Sequence, residues 1–388
     1  MSTTRHCLIE PRDPLIFRDG RPFAAGIAAR SQSWPFPTVV AGTARTQLGL
    51  PGPFDDALVE KLLEVRQRGP LLSYRAGESW ELALPRPHDA AAFPAADDDS
   101  GKVGLYPCRP SPPTKHEGTD LDTCPEPPLR GLMPACAALP KGKPSNETPD
   151  WWRWGKYKQW LQHRGPGPMT VGKDGLGVRA PIPDSRVHVR IDPAASAAME
   201  GQLFATEGLD FDSREEPLAL YSEFTLPEGL EAGRLTGAIS LGGERRLAIW
   251  HDSPSLLAGL VSPKELLETI VRDRQMRLIL VTPGCFKDGW MPGWLAKDGR
   301  PPVAGCLLQM RLRAAAAGRF VPISGWDLKD RRPKPTRFLS PAGAVFFVSI
   351  DGQVTVEQLS KLWLQPVSDA DQDRRDGFGL CILGAWGE

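Results

Sequence analysis

The 388-residue chain has no excess of charge of either sign, because Lys plus Arg and Asp plus Glu stand at 47 each. That balance excludes a domain-wide basic field of the kind that holds nucleic acid unaided, so any polyanion must meet a local cluster. Cysteine is scarce: seven residues, an odd number and widely scattered, exclude the paired framework that small secreted domains use. No run reaches the 18 or so apolar residues of a membrane span. The opening Met-Ser-Thr-Thr-Arg-His has no apolar signal core, so a cytoplasmic protein is expected. Only six histidines are present, and none stands in a compact acid-base constellation. The phosphate-cradling G-x-x-x-x-G-K-S/T loop, the G-x-S-x-G elbow and the H-E-x-x-H pair are all missing. The expectation is a protein that is not an enzyme and needs no cofactor.

What is present is an ordinary globular balance, 41% hydrophobic and 24% charged, on a chain long enough for two domains. Residues 6–17 read as a strand, and Pro37-Thr38 opens a helix over Val39–Leu48 that Gly49 and Pro51 stop. Asp55 caps a second helix carrying Leu58, Leu62 and Val65 at helical spacing. A hairpin follows, Pro70–Tyr74 with Ser79–Leu84 about Ala76-Gly77. Residues 85–150 then hold 14 of the 40 prolines and an acidic run, Asp97-Asp-Asp99, which reads as a long and partly disordered surface insertion.

Asp150 heads a helix whose Trp154, Tyr157 and Leu161 share a face; its mix of aromatic and basic residues permits strand stacking, but packing is the commoner use of Trp. Strands are expected at 186–191, 202–206 and 218–226, and residues 235–250 fold back about Gly242-Gly243, a two-residue hairpin signal. Ser262-Pro-Lys-Glu265 and Thr355-Val-Glu-Gln358 have capping-box spacing, the first leading a stripe of Leu266, Leu267, Ile270 and Val271. Between and after these helices lie strands at 277–281, 307–312 and 344–350, and Gly377 onward closes the chain. The whole is α+β, with two β-α-β-β sets in series and ferredoxin-like halves over 1–210 and 211–388, the insertion at about 86–150 lying in the first.

Three sites stand out. Near the start, Phe17-Arg-Asp-Gly-Arg-Pro-Phe23 groups Arg18 and Arg21 beside a strand end and a helix start, where guanidinium groups and backbone donors meet phosphates. Leu241-Gly-Gly-Glu-Arg-Arg246 sets Arg245 and Arg246 at a hairpin tip, with Glu244 able to neutralise one of them. Gly377-Phe-Gly379 lies near a basic-Gly-aromatic-Gly-aromatic RNA signature, but Asp376 takes the basic place and Leu380 the second aromatic, which leaves a backbone cradle or a bent core strand. A fourth cluster, Cys108, His116, Cys124 and Cys136, has soft ligands, but intervals of 7, 7 and 11 residues and no C-x-x-C pair argue against zinc, so no metal is assigned.

Read together, several short segments occur in a family's order: Ile9-Glu-Pro-Arg-Asp-Pro14, Phe17–Phe23, Trp34-Pro-Phe-Pro37, Gly69-Pro-Leu-Leu72, Leu84-Pro-Arg-Pro-His-Asp89, Arg190-Ile-Asp192 with Gly201-Gln-Leu-Phe204, Leu241–Arg246, Thr282-Pro283, Gly289-Trp-Met-Pro292, Ser324-Gly-Trp326 and Gly377–Gly379. The chain resembles the third subunit of the Cmr complex, the type III-B CRISPR effector, within the RAMP superfamily. The resemblance covers nearly everything outside residues 90–150. It implies tandem ferredoxin-like domains modified from the RNA-recognition fold. It further implies a non-catalytic subunit that holds the 5′ handle of the crRNA and docks onto the large polymerase-like subunit. Backbone RAMP subunits would be further partners, and target RNA would be met only indirectly. The RNA contacts it favours are Arg18, Arg21, Arg45, Gly243, Arg245, Arg246, Gly377, Phe378 and Gly379. The rival expectations are a RAMP endoribonuclease that processes crRNA precursors and a pure assembly protein without RNA contact.

Overall fold

The computed structural model describes residues 3–18, 31–95, 101–112, 131–145, 148–212, 216–327 and 332–387. The fold is mixed α+β with antiparallel sheets. The chain divides into two compact units, neither continuous in sequence: residues 1–81, 180–254 and 322–337 form one, and 82–179, 255–321 and 338–388 the other. The sequence-based boundary at 210/211 does not coincide with this division. The 218–226 strand assigned beyond it belongs to the first unit, because strand pairing joins segments far apart in the chain.

In the first unit, β1 (Thr3–Pro11) is followed by α1 (Pro37–Gly49), α2 (Asp56–Leu63), β2 (Arg66–Ala76) and the start of β3 (Ser79–Pro85). After the return of the chain come β4 (Leu218–Leu226), β5 (Gly237–Ser240) and β6 (Leu247–Asp252). β1 pairs antiparallel with β4 on one side and β6 on the other, and β4 pairs with β2. Numbered by chain order, the four strands β1, β2, β4 and β6 lie 4-1-3-2. β4 is buried along nearly its whole length, so both faces of this central strand are covered, and its sequence, LALYSEFTL, does not alternate apolar with polar.

Local chemistry explains the helices. Pro37 fixes the first-turn backbone of α1, and Val40, Ala41, Ala44 and Leu48 recur at the spacing of one buried face. The Asp55 carboxylate accepts from Leu58 N at 2.8 Å, capping α2 as expected. Trp34 donates from Nε1 to Pro70 O at 3.2 Å, and its ring lies 6.0 Å from that of Phe211, which accounts for the Trp34–Pro37 segment by packing. A long two-stranded ribbon, Ile182–Asp192 with Ala197–Asp210, completes the unit.

The second unit has α3 (Trp154–Gln162), α4 (Lys264–Asp273), β7 (Gln275–Leu280), α5 (Gly293–Lys297), β8 (Gln309–Ala316), β9 (Val345–Asp351), α6 (Val356–Leu362) and β10 (Leu380–Ala385). β7 pairs with β9 and β10, and β8 with β9, all antiparallel, so the strands again lie 4-1-3-2. Thr355 caps α6 by accepting from Gln358 N, as its spacing predicts. The Ser262 box does not form: Pro263 takes the cap position one residue later, and no side chain caps α4. Val271 is only half-buried, while Leu266, Leu267 and Ile270 carry the apolar stripe.

Two further expectations are corrected. Residues 151–153 are a strand paired with Ala83–Pro85, so α3 begins at Trp154 and Asp150 is not its cap; Asp150 O instead accepts from Arg86 N at 2.8 Å. Part of the insertion is packed rather than a loose surface segment, whereas residues 137–145 lie at the surface without helix or strand. Ala90–Pro94, Lys102–Pro107 and Met169–Gly172 form a three-stranded sheet burying Ala92, Phe93, Val103 and Leu105. Its prolines Pro94 and Pro107 sit at strand ends, where a missing N–H costs the ladder nothing.

Candidate functional site

The loop between β5 and β6 is seated on the segment that leaves β1. Ser240 pairs with Leu247 and Leu241 N donates to Arg246 O at 2.8 Å, so four residues rather than two make the turn. Glu244 and Arg245 take left-handed backbone angles within it. Gly243 N donates to Ile16 O at 2.8 Å and Arg12 N to Leu247 O at 2.9 Å, while the Asp13 carboxylate accepts from Leu247 N at 3.0 Å. Gly242 is needed on two counts: its φ is +80°, and a Cβ there would lie 2.6 Å from Ile16 O.

This seating brings together residues more than two hundred positions apart. Glu244 lies 3.6 Å from the Arg18 guanidinium and 3.8 Å from that of Arg246. Arg245 of the same loop and Arg12 of the segment beneath it are exposed. Arg18 and Arg246 thus share one carboxylate, Glu244, while that of Asp13 is taken by Leu247 N. Exposed ion pairs of this length are weak in water, so an incoming phosphate competes with Glu244 at low cost. The chain returns to Arg18 through Phe17 N donating to Ser31 Oγ and Gln32 N to Phe17 O. Arg21 lies outside the described residues.

The remaining predicted contacts do not join this cluster. Arg45 donates to Leu62 O and Val65 O, closing the C-terminal end of α2, which commits its guanidinium to the fold. Gly377, Phe378 and Gly379 belong to the second unit and are buried, Phe378 completely. Their backbone donors are all used: Gly377 N on Arg374 O, Phe378 N on Asp373 O and Gly379 N on Pro283 O. Thr282 Oγ1 donates to Gly377 O at 2.7 Å and accepts from Leu380 N at 2.8 Å. With every amide spent, this turn is a bent approach to a core strand and leaves no donor for a phosphate, which corrects the cradle reading. Cys136 lies on a short ladder opposite Arg109, next in the chain to Cys108, whereas His116 and Cys124 lie outside the described residues. Among the described residues no group of three metal-ligating side chains occurs.

A polar centre that sequence reading missed lies in the second unit. Asp89 and Arg277 are both wholly buried, joined Nη1 to Oδ2 at 2.7 Å. Arg109 reaches the same carboxylate oxygen at 3.0 Å, and Trp160 Nε1 donates to Oδ1 at 2.9 Å. Arg277 also donates to the carbonyls of Trp160 and Leu161, and Arg109 to that of His163, so these donors satisfy the last turn of α3. Burial, and after it the neighbouring Arg277 charge, pull the Arg109 pKa down to about 10. The sequence did carry a signal, a single arginine inside the apolar β7. It pairs in register with Gly384, where a Cβ would lie 3.0 Å from the guanidinium.

Two of the described histidines pair with carboxylates. His6 lies 3.2 Å from the buried Glu223, which also takes Tyr221 OH at 2.8 Å and Arg68. His251 pairs with Glu10 at 3.0 Å. No helix among the described residues is long and apolar enough to cross a membrane.

A family model described as CRISPR-associated protein (Cas_Cmr3) matches residues 7–386. The chain belongs to this family. Two solved chains are similar over most of their length. Both come from cryo-EM structures of the Type III-B Cmr-beta complex, one bound to cognate target RNA and AMPPnP and one to cognate target RNA. They align at TM-score 0.47 with 15% and 14% identity, covering 88% of this chain and 86% of theirs. A chain from the Csm3-Csm4 subcomplex of the type III-A CRISPR-Cas interference complex aligns at TM-score 0.36 and 11% identity, over 90% of this chain and 95% of that one. No curated protein matches this Cas_Cmr3 chain.

Proposed function

We propose that this Cas_Cmr3 family member is a non-catalytic, intracellular subunit of a type III-B CRISPR effector that holds the 5′ handle of the crRNA and anchors the large polymerase-like subunit. Each unit is read as a ferredoxin-like half, a reading supported by the repeated 4-1-3-2 antiparallel order. The observation that carries the RNA reading is the seating of the Gly242–Arg246 loop on Ile16–Arg18, which gathers guanidinium groups from segments far apart in the chain. Phosphate contacts there would position the strand, and recognition of the target would be left to the guide's own base pairing.

The test uses the full chain and a labelled RNA bearing the repeat-derived handle. Arg245→Ala with Arg246→Ala should weaken binding and lower the slope of log affinity against log salt by about 0.7 to 1 for each phosphate no longer neutralised. An unchanged slope overturns the assignment. Incubation of repeat RNA without metal should give binding and no cleavage; cleavage would favour an endoribonuclease.

A further inference from the structure

Within the second unit, an open basin of about 530 Å3 lies where the tip after β8 faces the start of the insertion. Its charged lining is Arg86 and Arg319, and among the described residues no carboxylate lines it. Among the described residues neither arginine pairs with an acid; the Arg86 guanidinium donates to Thr148 Oγ1, at 3.3 Å. The nearest acid in sequence, Asp89, is committed to Arg277, Arg109 and Trp160.

The other polar walls are neutral at pH 7. His88 is held below its ordinary pKa chiefly by burial, and the Cys108 thiol is pushed up to about 11, again chiefly by burial. Alanines supply an apolar floor. The residue after Arg319 is Phe320, which meets Phe338 edge to face at 4.9 Å, and the two rings are 61% and 50% exposed. Neither ring lines the basin, but Phe320 follows Arg319 directly in the chain, and a single strand uses charge on its phosphates and nearby ring faces on its bases. The volume suits an organic ligand rather than bare phosphate, and an acidic peptide would leave both rings unused.

We propose that this basin is a nucleotide site, with a phosphate held by Arg86 and Arg319 and the attached base stacked on Phe320 and Phe338. This rests on the RNA-binding reading above and adds a second point of attachment on the other unit.

The experiment measures binding of a labelled eight-nucleotide oligouridylate to the full chain by anisotropy across a salt series, with uridine monophosphate as competitor. Arg319→Ala and Phe320→Ala change exposed positions and should leave folding intact. Arg319→Ala should lower the salt slope by about 0.7, and Phe320→Ala with Phe338→Ala should weaken binding roughly ten-fold. Competition by millimolar uridine monophosphate would identify a free nucleotide as an occupant, and variant losses without competition would identify the strand. Wild-type affinity and slope in all these variants overturns the proposal. If only Arg245→Ala with Arg246→Ala loses binding, the basin proposal falls and the handle reading stands; if only the basin variants lose it, the reverse holds.

Discussion

Asp89→Ala is the most severe single change the structure points to. The carboxylate accepts from Arg277, Arg109 and Trp160 at 2.7, 3.0 and 2.9 Å, and Arg277 has no exposed surface. Removing one partner of a buried ion pair costs about 3–5 kcal/mol, because the stranded charge cannot recover its hydration. The missing acceptor for Trp160 adds about 1 kcal/mol, less than additively since all three donors share one group. An expected loss near 4 kcal/mol is a large part of a stability of about 5–15 kcal/mol. Asp89→Asn keeps shape and one acceptor but strands the same buried charge, and should cost about 3 kcal/mol. Urea unfolding followed by tryptophan fluorescence reads the effect: at about 2–3 kcal/mol per molar, Asp89→Ala should move the midpoint by about 1–2 M. Adding Arg277→Met removes the stranded charge and should restore part of that loss. A midpoint shift below about 0.3 M for Asp89→Ala, or no recovery in the double variant, would refute the account of the buried centre.

Gly242→Ala should destabilise by about 1–3 kcal/mol, since it combines a left-handed backbone with a close approach to Ile16 O, and should weaken handle binding by unseating the loop; equal stability and affinity would show that the loop does not depend on that seat. Stability should also fall as pH drops from about 6.5 towards 5. His88 and His163 are both held below their ordinary pKa, mainly by burial, so in that window the unfolded chain takes up protons that the folded one refuses. His88→Gln should flatten the dependence of the urea midpoint between about pH 7.5 and 5.5, and an unchanged dependence would remove His88 as a cause. Arg45→Ala should lower stability by about 1–2 kcal/mol through the missing hydrogen bonds to the carbonyls at the end of α2, with the salt slope of RNA binding unaltered; a lowered slope would return Arg45 to the RNA-binding set.

Much of the architecture was written locally. The Asp55 and Thr355 caps, the hairpin about Ala76-Gly77 and the 218–226 strand follow from residue types acting within one turn or one strand, and they appear where the sequence puts them. The ordered segments that resemble the Cmr family also run the length of the chain, as the family match at residues 7–386 does. Local signals failed where a neighbour in space took over. Pro263 displaced Ser262 as the cap of α4, strand pairing claimed Trp151–Arg153 from α3, and two strands of a proline-rich stretch, Ala90–Pro94 and Lys102–Pro107, joined a buried sheet.

The amino-acid order by itself determined helices α1 and α2, the Ala76-Gly77 hairpin, the 218–226 strand and which arginines sit at turns, because hydrophobic period, capping and turn chemistry act over a few residues. Only the tertiary structure decided what those side chains face. It seated the Gly242–Arg246 loop on Ile16 and left Arg18 and Arg245 in solvent, while it spent Arg45 on helix carbonyls and closed the Gly377 turn on itself. It also joined Asp89 to Arg277, 188 positions away, since a charge inside an apolar strand must find its counter-ion wherever the fold brings one.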